Sequence, residues 1–279
     1  MVDCLLDGLI DTLKLLPYLL VTFLLLEFIE HKFTKKNKEI LSKNKKYGPV
    51  VGGLLGALPQ CGFGSMAANL FSARVITMGT LIAVFLSTSD EMLPIMISER
   101  ADILVLIKIL SFKVIVGIIT GYVIDFIYRK KIEEKEEIKE LCEHDHCSCE
   151  HDGIIISSIK HTLKIGIFIL IANLLINIII FKVGEENVSN ILLHGNVLTY
   201  FLSSLVGLIP NCAGSVIITE LYLSNMISVG TMLAGLLTGS GLGILLLFRT
   251  NKNLKENIII LSIIYFVGVI LGIIVDLVI

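Results

Sequence analysis

Leu58-Pro59-Gln60-Cys61-Gly62 is answered by Ile209-Pro210-Asn211-Cys212-Ala213, 151 positions later and inside an equally apolar segment. Proline has no backbone N–H and interrupts the helical ladder, and in both copies a side-chain amide and a thiol follow it at once. In a bilayer, backbone groups freed by such a break are costly unless protein or a wet cavity meets them. A doubled break carrying polar side chains is therefore read as a doubled functional feature of a membrane protein.

Composition agrees with a membrane setting. Hydrophobic residues make up 54% of the chain and charged residues 17%, mean hydropathy is +0.86, and several apolar runs exceed the roughly 18 residues that suggest a spanning helix. A net charge of −2 gives no footprint for nucleic acid. Six cysteines are few for a disulfide framework, and three of them crowd one hydrophilic loop, a pattern closer to metal chemistry.

The rest of the chain is organised around the two breaks. Asp3, Asp7 and Asp11 precede the apolar run Leu13 to Ile29, unlike the basic start of a cleaved signal peptide, so this run is expected to be a retained span. His31 to Lys46 follows with seven lysines, which the positive-inside rule places in the cytoplasm. Residues 48–72 hold the first break and either cross once as a kinked helix or enter and return as two half-helices. Spans are expected at 75–97, 103–128, 159–181, 197–222, 226–248 and 257–279. These make three regions: a first transmembrane repeat over 1–128, a Cys/His-rich linker over 129–158, and a second transmembrane repeat over 159–279.

The duplication reaches well beyond the prolines. At the same offset Gly79-Thr80 matches Gly230-Thr231, Ala83 matches Ala234, Ser89 matches Ser240, and Gly117, Gly121 and Asp125 match Gly268, Gly272 and Asp276. Lysine placement then decides between topologies. If 48–72 and 197–222 each cross once, the repeats are parallel and six Lys/Arg from Arg129 to Lys160 lie outside. If each returns to its own side, or is two short spans, the repeats are inverted, and the inside holds His31 to Lys46, Arg74, the linker and Arg249 to Lys255, against only Arg100 and Lys182 of the loop Lys/Arg outside. The expected fold is thus all-α and polytopic, with two inverted-topology repeats, each carrying a Pro-broken or re-entrant segment. Both termini face outward and the linker is cytoplasmic.

Inverted repeats with broken helices at the midplane are a recurring plan of secondary transporters. No G-x-x-x-x-G-K-[ST] loop is present, so ATP hydrolysis is not expected. Gly239-Ser240-Gly241-Leu242-Gly243 reads as close helix packing or another broken helix.

The Leu-Pro-Gln-Cys-Gly-Phe-Gly stretch, its Pro-Asn-Cys echo, Ser87-Thr88-Ser89-Asp90-Glu91 and the Cys/His-rich linker together resemble a family of ten-transmembrane heavy-metal exporters, whose members are labelled arsenic efflux proteins or manganese transporters. The resemblance covers nearly the whole chain. Its ten-segment count implies two short segments around each proline, and its function implies export of a metal ion from a cell across the plasma membrane.

On the residues themselves, Cys61 and Cys212 are candidate soft ligands, against the plainer role of small buried hydrophobes. Gln60 and Asn211 either ligate through amide oxygens or satisfy the broken backbone. Asp90 and Glu91 lie in an otherwise apolar span, where an ionised group costs roughly 2.5–3.5 kcal/mol on insertion scales; their hard oxygens suit manganese or a counter-proton. Glu220, whose repeat counterpart is Asn69, is a further candidate for ion or proton binding. Ser87, Thr88 and Ser89 are candidates to line the path or to satisfy their own backbone. Lys108 and Lys113 are expected to snorkel or pair with acids, and Asp125 and Asp276 to anchor span ends.

In the linker, Cys142, His144, His146, Cys147, Cys149 and His151 place six potential metal ligands within ten residues. This reads as a capturing or sensing loop for a soft or borderline metal, although its spacing is not that of a zinc finger. No cofactor is expected beyond the transported metal, and the partners are the lipid bilayer, the metal ion and a proton or cation counter-ion. A carrier or channel for a non-metal solute keeps the repeat but leaves the linker unexplained. A membrane thiol oxidoreductase lacks a C-x-x-C pair.

Overall fold

A computed structural model of the chain describes residues 47–58, 61–89, 92–132, 197–210 and 212–278, with isolated helical positions between 13 and 24 and between 158 and 174. Among the described residues the secondary structure is helical, without strands. The first half supplies α1 (Gly48–Gly56), α2 (Cys61–Ser72), α3 (Met78–Ser87), α4 (Met92–Ser98) and α5 (Ile103–Ile132). The second half supplies α6 (Leu198–Gly207), α7 (Cys212–Leu223), α8 (Val229–Thr238), α9 (Leu242–Thr250) and α10 (Leu254–Val278) in the same order. The stretches Met78–Ser98, Ile103–Tyr128, Val229–Thr250 and Leu254–Val278 are long and apolar enough to cross a membrane. The span expected at 75–97 is therefore present but interrupted, because Thr88 leaves the helix with ψ 128.

Contacts along each helix fix the direction of its neighbours. Gly52 lies against Thr80 and Val84, and Gly56 against Val84 and Ser87, so α1 and α3 run side by side in the same direction. The intervening α2 must then return to the level at which α1 began. Residues 48–72 therefore form a helical hairpin rather than one kinked crossing. The second half repeats this: Ser203 Oγ donates to the Thr231 carbonyl (2.8 Å) and Gly207 lies against Gly235 and Thr238, so α6 and α8 are also parallel. Both hairpins end alike. Arg74 and Asn225 take φ of 61° and 57°, and the next residues donate back to Leu70 and Leu221 (2.9 Å each), the pattern that closes a helix through a left-handed residue.

The doubled glycines are packing seats. A Cβ on Gly117 would stand 2.7 Å from the Ala83 carbonyl, and one on Gly268 would stand 2.8 Å from that of Ala234. Gly121 and Gly272 repeat the arrangement one turn on, each 2.6 Å from the carbonyl of Gly79 or Gly230. Small residues let α5 and α10 lie backbone to backbone, antiparallel, on α3 and α8. The opposite face of each outer helix is apolar and exposed, with Ile115, Ile119 and Phe126 on α5 and Phe266, Ile270 and Ile274 on α10, as a lipid-facing surface requires.

The halves meet by exchange. α2 packs on α9, and α7 packs on α4, the reciprocal pattern of a two-fold relation. Gly64 sits beside Ser240 and Gly243, and Ser72 Oγ lies 2.7 Å from Thr250 Oγ1, so α2 and α9 are parallel. Because α2 runs toward the level at which α3 begins, Val229–Thr250 arrives at that level while Met78–Ser98 departs from it. Arg74 and Glu256 pair there at 2.9 Å.

Asp125 and Asp276 hold the starts of α3 and α8. Asp125 accepts from the Gly79 N–H (2.8 Å) and the Thr77 hydroxyl (2.7 Å), and Asp276 accepts from the Gly230 N–H (2.7 Å) and the Ser228 and Tyr200 hydroxyls. Each carboxylate thus satisfies a helix N-terminus from the end of another helix, where the dipole favours negative charge. Asp125→Ala and Asp276→Ala are each expected to lose about 1–3 kcal/mol and to lower the melting midpoint of the detergent-purified protein, with Asn losing less. Unchanged midpoints for both Ala variants would remove the capping role. In a background without native cysteines, Ser72→Cys with Thr250→Cys should cross-link under mild oxidation, and Phe63→Cys with Thr250→Cys should not. The opposite yields would reverse the direction assigned to α2 and α9.

Candidate functional site

Four helix interruptions converge between the halves, at the described residues 57–58 after α1, 88–89 after α3, 208–210 after α6 and 239–241 after α8. Ser89 Oγ donates to the Ala57 carbonyl at 2.7 Å, which ties the second interruption to the first. Thr238 Oγ1 donates to the Ser204 carbonyl at 2.9 Å, and Gly239 lies near the Gly207 carbonyl, which ties the fourth to the third. Gly64 beside Ser240 joins the first hairpin to the fourth interruption. The turn at 239–241 needs Gly241 at φ 52°, ψ −139°, a conformation closed to residues with a Cβ. Hence the glycine-rich run is a broken helix.

Helix polarity gives this region a mixed field. α1, α3, α6 and α8 finish there and turn partly negative carbonyl ends inward, whereas α2, α4, α7 and α9 begin there and offer partly positive N–H ends. Such a centre can hold a cation on carbonyls and an anionic group on N–H ends without any full protein charge.

Cys61 and Cys212 are the first residues of α2 and α7, so the structure places both at the start of the returning hairpin arms; their side chains lie outside the described residues. Gln60, Asn211, Asp90 and Glu91 also lie outside them, as do Cys142, His144, His146, Cys147, Cys149 and His151 of the linker. Glu220 is exposed on α7, while its counterpart Asn69 on α2 is 2% exposed. Among the described residues no three His, Cys, Asp or Glu side chains come together. Ser87 and Thr88 bond back to their own helix, at Ala83 (2.8 Å) and Val84 (2.8 Å), so of the three hydroxyls it is Ser89 that reaches across an interruption.

Two polar features go beyond the sequence reading, which expected Lys113 to snorkel or pair with acids. Lys113 does not snorkel: it is 1% exposed, and its Nζ donates to the carbonyls of Thr88 and, at 2.7 Å, of Leu236. It stands ten residues inside α5, a depth of about 15 Å at 1.5 Å per residue, beyond the reach of a lysine stem. That depth was the available signal. Its repeat counterpart is Ile264, fully buried and apolar, so the charge belongs to one half alone. A lysine at the centre of a span costs roughly 2.5–3.5 kcal/mol on insertion scales, which marks it as functional or structurally essential.

The second feature is a set of buried polar atoms, Ser65 Oγ, both amide atoms of Asn69 and Ser240 Oγ, that find no hydrogen-bond partner among the described residues. Ser65 and Asn69 are one turn apart on α2 and so share a face, while Ser240 lies in the interruption that Gly64 touches. Unpaired polar atoms in an apolar interior each carry an uncompensated desolvation penalty of about 1–3 kcal/mol. Their hydroxyl and amide oxygens supply donors of the kind a hydrated or hard ion accepts.

No curated protein and no solved structure matches the chain. Residues 2–198 and 163–279 match a family model described as "Putative, 10TM heavy-metal exporter". Among the described residues each half gives five segments when the hairpin arms are counted separately, α3 is joined with α4 and α8 with α9, and the helical positions at 13–24 and 158–174 are each counted once, in agreement with that ten-segment description. The chain thus belongs to the ten-transmembrane heavy-metal exporter family, a family of multi-pass membrane transporters.

Proposed function

We propose that this protein is a secondary transporter that exports a heavy-metal or transition-metal ion from the cytoplasm, with manganese and arsenic-type substrates foremost. The observation that carries the reading is the convergence of four helix interruptions between two halves whose broken spans run in opposite directions. Helix breaks at membrane depth persist where they line a path or a site, and oppositely directed repeats supply the two exchangeable arrangements that alternating access requires.

The opposite run of Met78–Ser98 and Val229–Thr250 supports inverted topology, and the charge distribution supports its orientation. The end that holds Arg74, Arg249, Lys252, Lys255 and Glu256 is cytoplasmic, together with the lysine-rich 31–46 stretch and the central linker, and both termini face outward. Within this frame Cys61 and Cys212 bind a thiophilic substrate, Gln60 and Asn211 assist through amide oxygens, and Asp90, Glu91 and Glu220 serve harder ions or a counter-proton. The linker's Cys142, His144, His146, Cys147, Cys149 and His151 capture metal on the side from which it leaves. The protein is a carrier rather than an enzyme, and the metal is its cargo.

The test is metal accumulation, measured by elemental analysis in cells challenged separately with manganese, zinc, cadmium and arsenite. Expression of the wild type is expected to lower the content of at least one of them. The double change Cys61→Ser with Cys212→Ser should abolish efflux of a soft metal and only weaken that of manganese, whereas Asp90→Asn should do the reverse. Equal accumulation with and without the protein in the membrane would move the reading to a carrier of a non-metal solute. Equal, small effects of all three variants would remove the ligand assignment.

A further inference from the structure

The amine of Lys113 donates to backbone carbonyls from both halves. Thr88 is the C-cap of α3, and Leu236 lies two residues before the end of α8, so the two acceptors belong to the C-terminal ends of the repeat-related half-helices. Half-helix C-termini carry partial negative charge and unsatisfied carbonyls, and in broken-helix transporters such ends coordinate a coupling monovalent cation. Here a side chain of the protein already meets them. The position is nearly sealed, and its repeat counterpart is Ile264, so the arrangement is not imposed by the symmetry of the fold.

We propose that the Lys113 ammonium is a tethered resident cation: it occupies the carbonyl cradle that α3 and α8 would otherwise offer to a free monovalent ion, and it relieves the transport cycle of any sodium or potassium requirement. The proposal rests on the broken-helix reading of the site but not on the identity of the exported metal. It accounts for a charge at membrane depth on one repeat only. Lys113 acts on the substrate path by holding the ends of two half-helices together, and is a positioning residue.

The test uses the purified full-length protein in detergent, with melting midpoints measured in choline buffer and after addition of sodium, potassium, ammonium or methylammonium. Lys113→Ala opens the cradle; Lys113→Met fills it without charge. The wild type is expected to melt at the same temperature in every buffer. Lys113→Ala should melt lower in choline and regain several degrees with at least one small cation, saturably at millimolar concentration, and Lys113→Met should melt lower in all of them. A Lys113→Ala protein as insensitive to cations as the wild type would overturn the proposal. So would a wild type stabilised by sodium to the same extent as the Ala variant. If Lys113→Ala yields no folded protein, Lys113→Met decides: a midpoint equal to or above the wild type's shows that the space, not the charge, is what the site requires. Because these readouts need no metal, they stand or fall separately from the efflux assay.

Discussion

Hydrocarbon offers no hydrogen bonds, and this fold is shaped by that fact. Every helix interruption inside a membrane leaves N–H and carbonyl groups that must find partners in the protein. Here four interruptions solve the problem together. Ser89 serves the carbonyl of Ala57, Thr238 serves that of Ser204, and Lys113 serves those of Thr88 and Leu236. Moving one break away from the others would orphan groups in both, so the breaks form a single structural unit.

Close packing makes this unit possible. The interrupted helices α3 and α8 are almost wholly buried, and in lipid there is no hydrophobic drive to press them together. Glycine at 52, 56, 117 and 121, and again at 268 and 272, lets backbones approach to contact distance. The outer helices α5 and α10 can then clamp α3 and α8 along one face and turn branched apolar side chains outward. The aspartates at their far ends fix the register of that clamp through the N–H groups of Gly79 and Gly230. Packing, capping and the central breaks therefore belong to one design, executed twice.

The departures from symmetry are as informative as the repeat. Lys113 faces Ile264 across the relation, Asn69 faces Glu220, and Ser65 faces Val216. At these three positions the first half carries buried polar groups on α2 and α5, whereas the second carries an exposed acid on α7 and apolar residues.

Much was legible in the sequence by itself. The paired proline breaks, the offset of 151, the glycine and aspartate positions that keep register and the lysine bias all follow from one-dimensional pattern, because hydropathy, helix-breaking and loop charge are local properties. These fixed the all-helical, duplicated, membrane-spanning class. Direction and depth were not local. The lysine bias already argued against a single crossing of 48–72, but the direction of each hairpin arm emerges from contacts between Gly52 or Gly56 and α3. The interruption at Thr88-Ser89 fell within a stretch read as one span, because serine and threonine are tolerated in helices and it is the packing of Ser89 on Ala57 that stabilises the break there. The depth of Lys113, which rules out snorkelling, was hidden for the same reason. Its sequence neighbourhood gives the charge, but only the tertiary fold supplies the two carbonyls, 25 residues before it and 123 residues after it, that make burial of that charge possible.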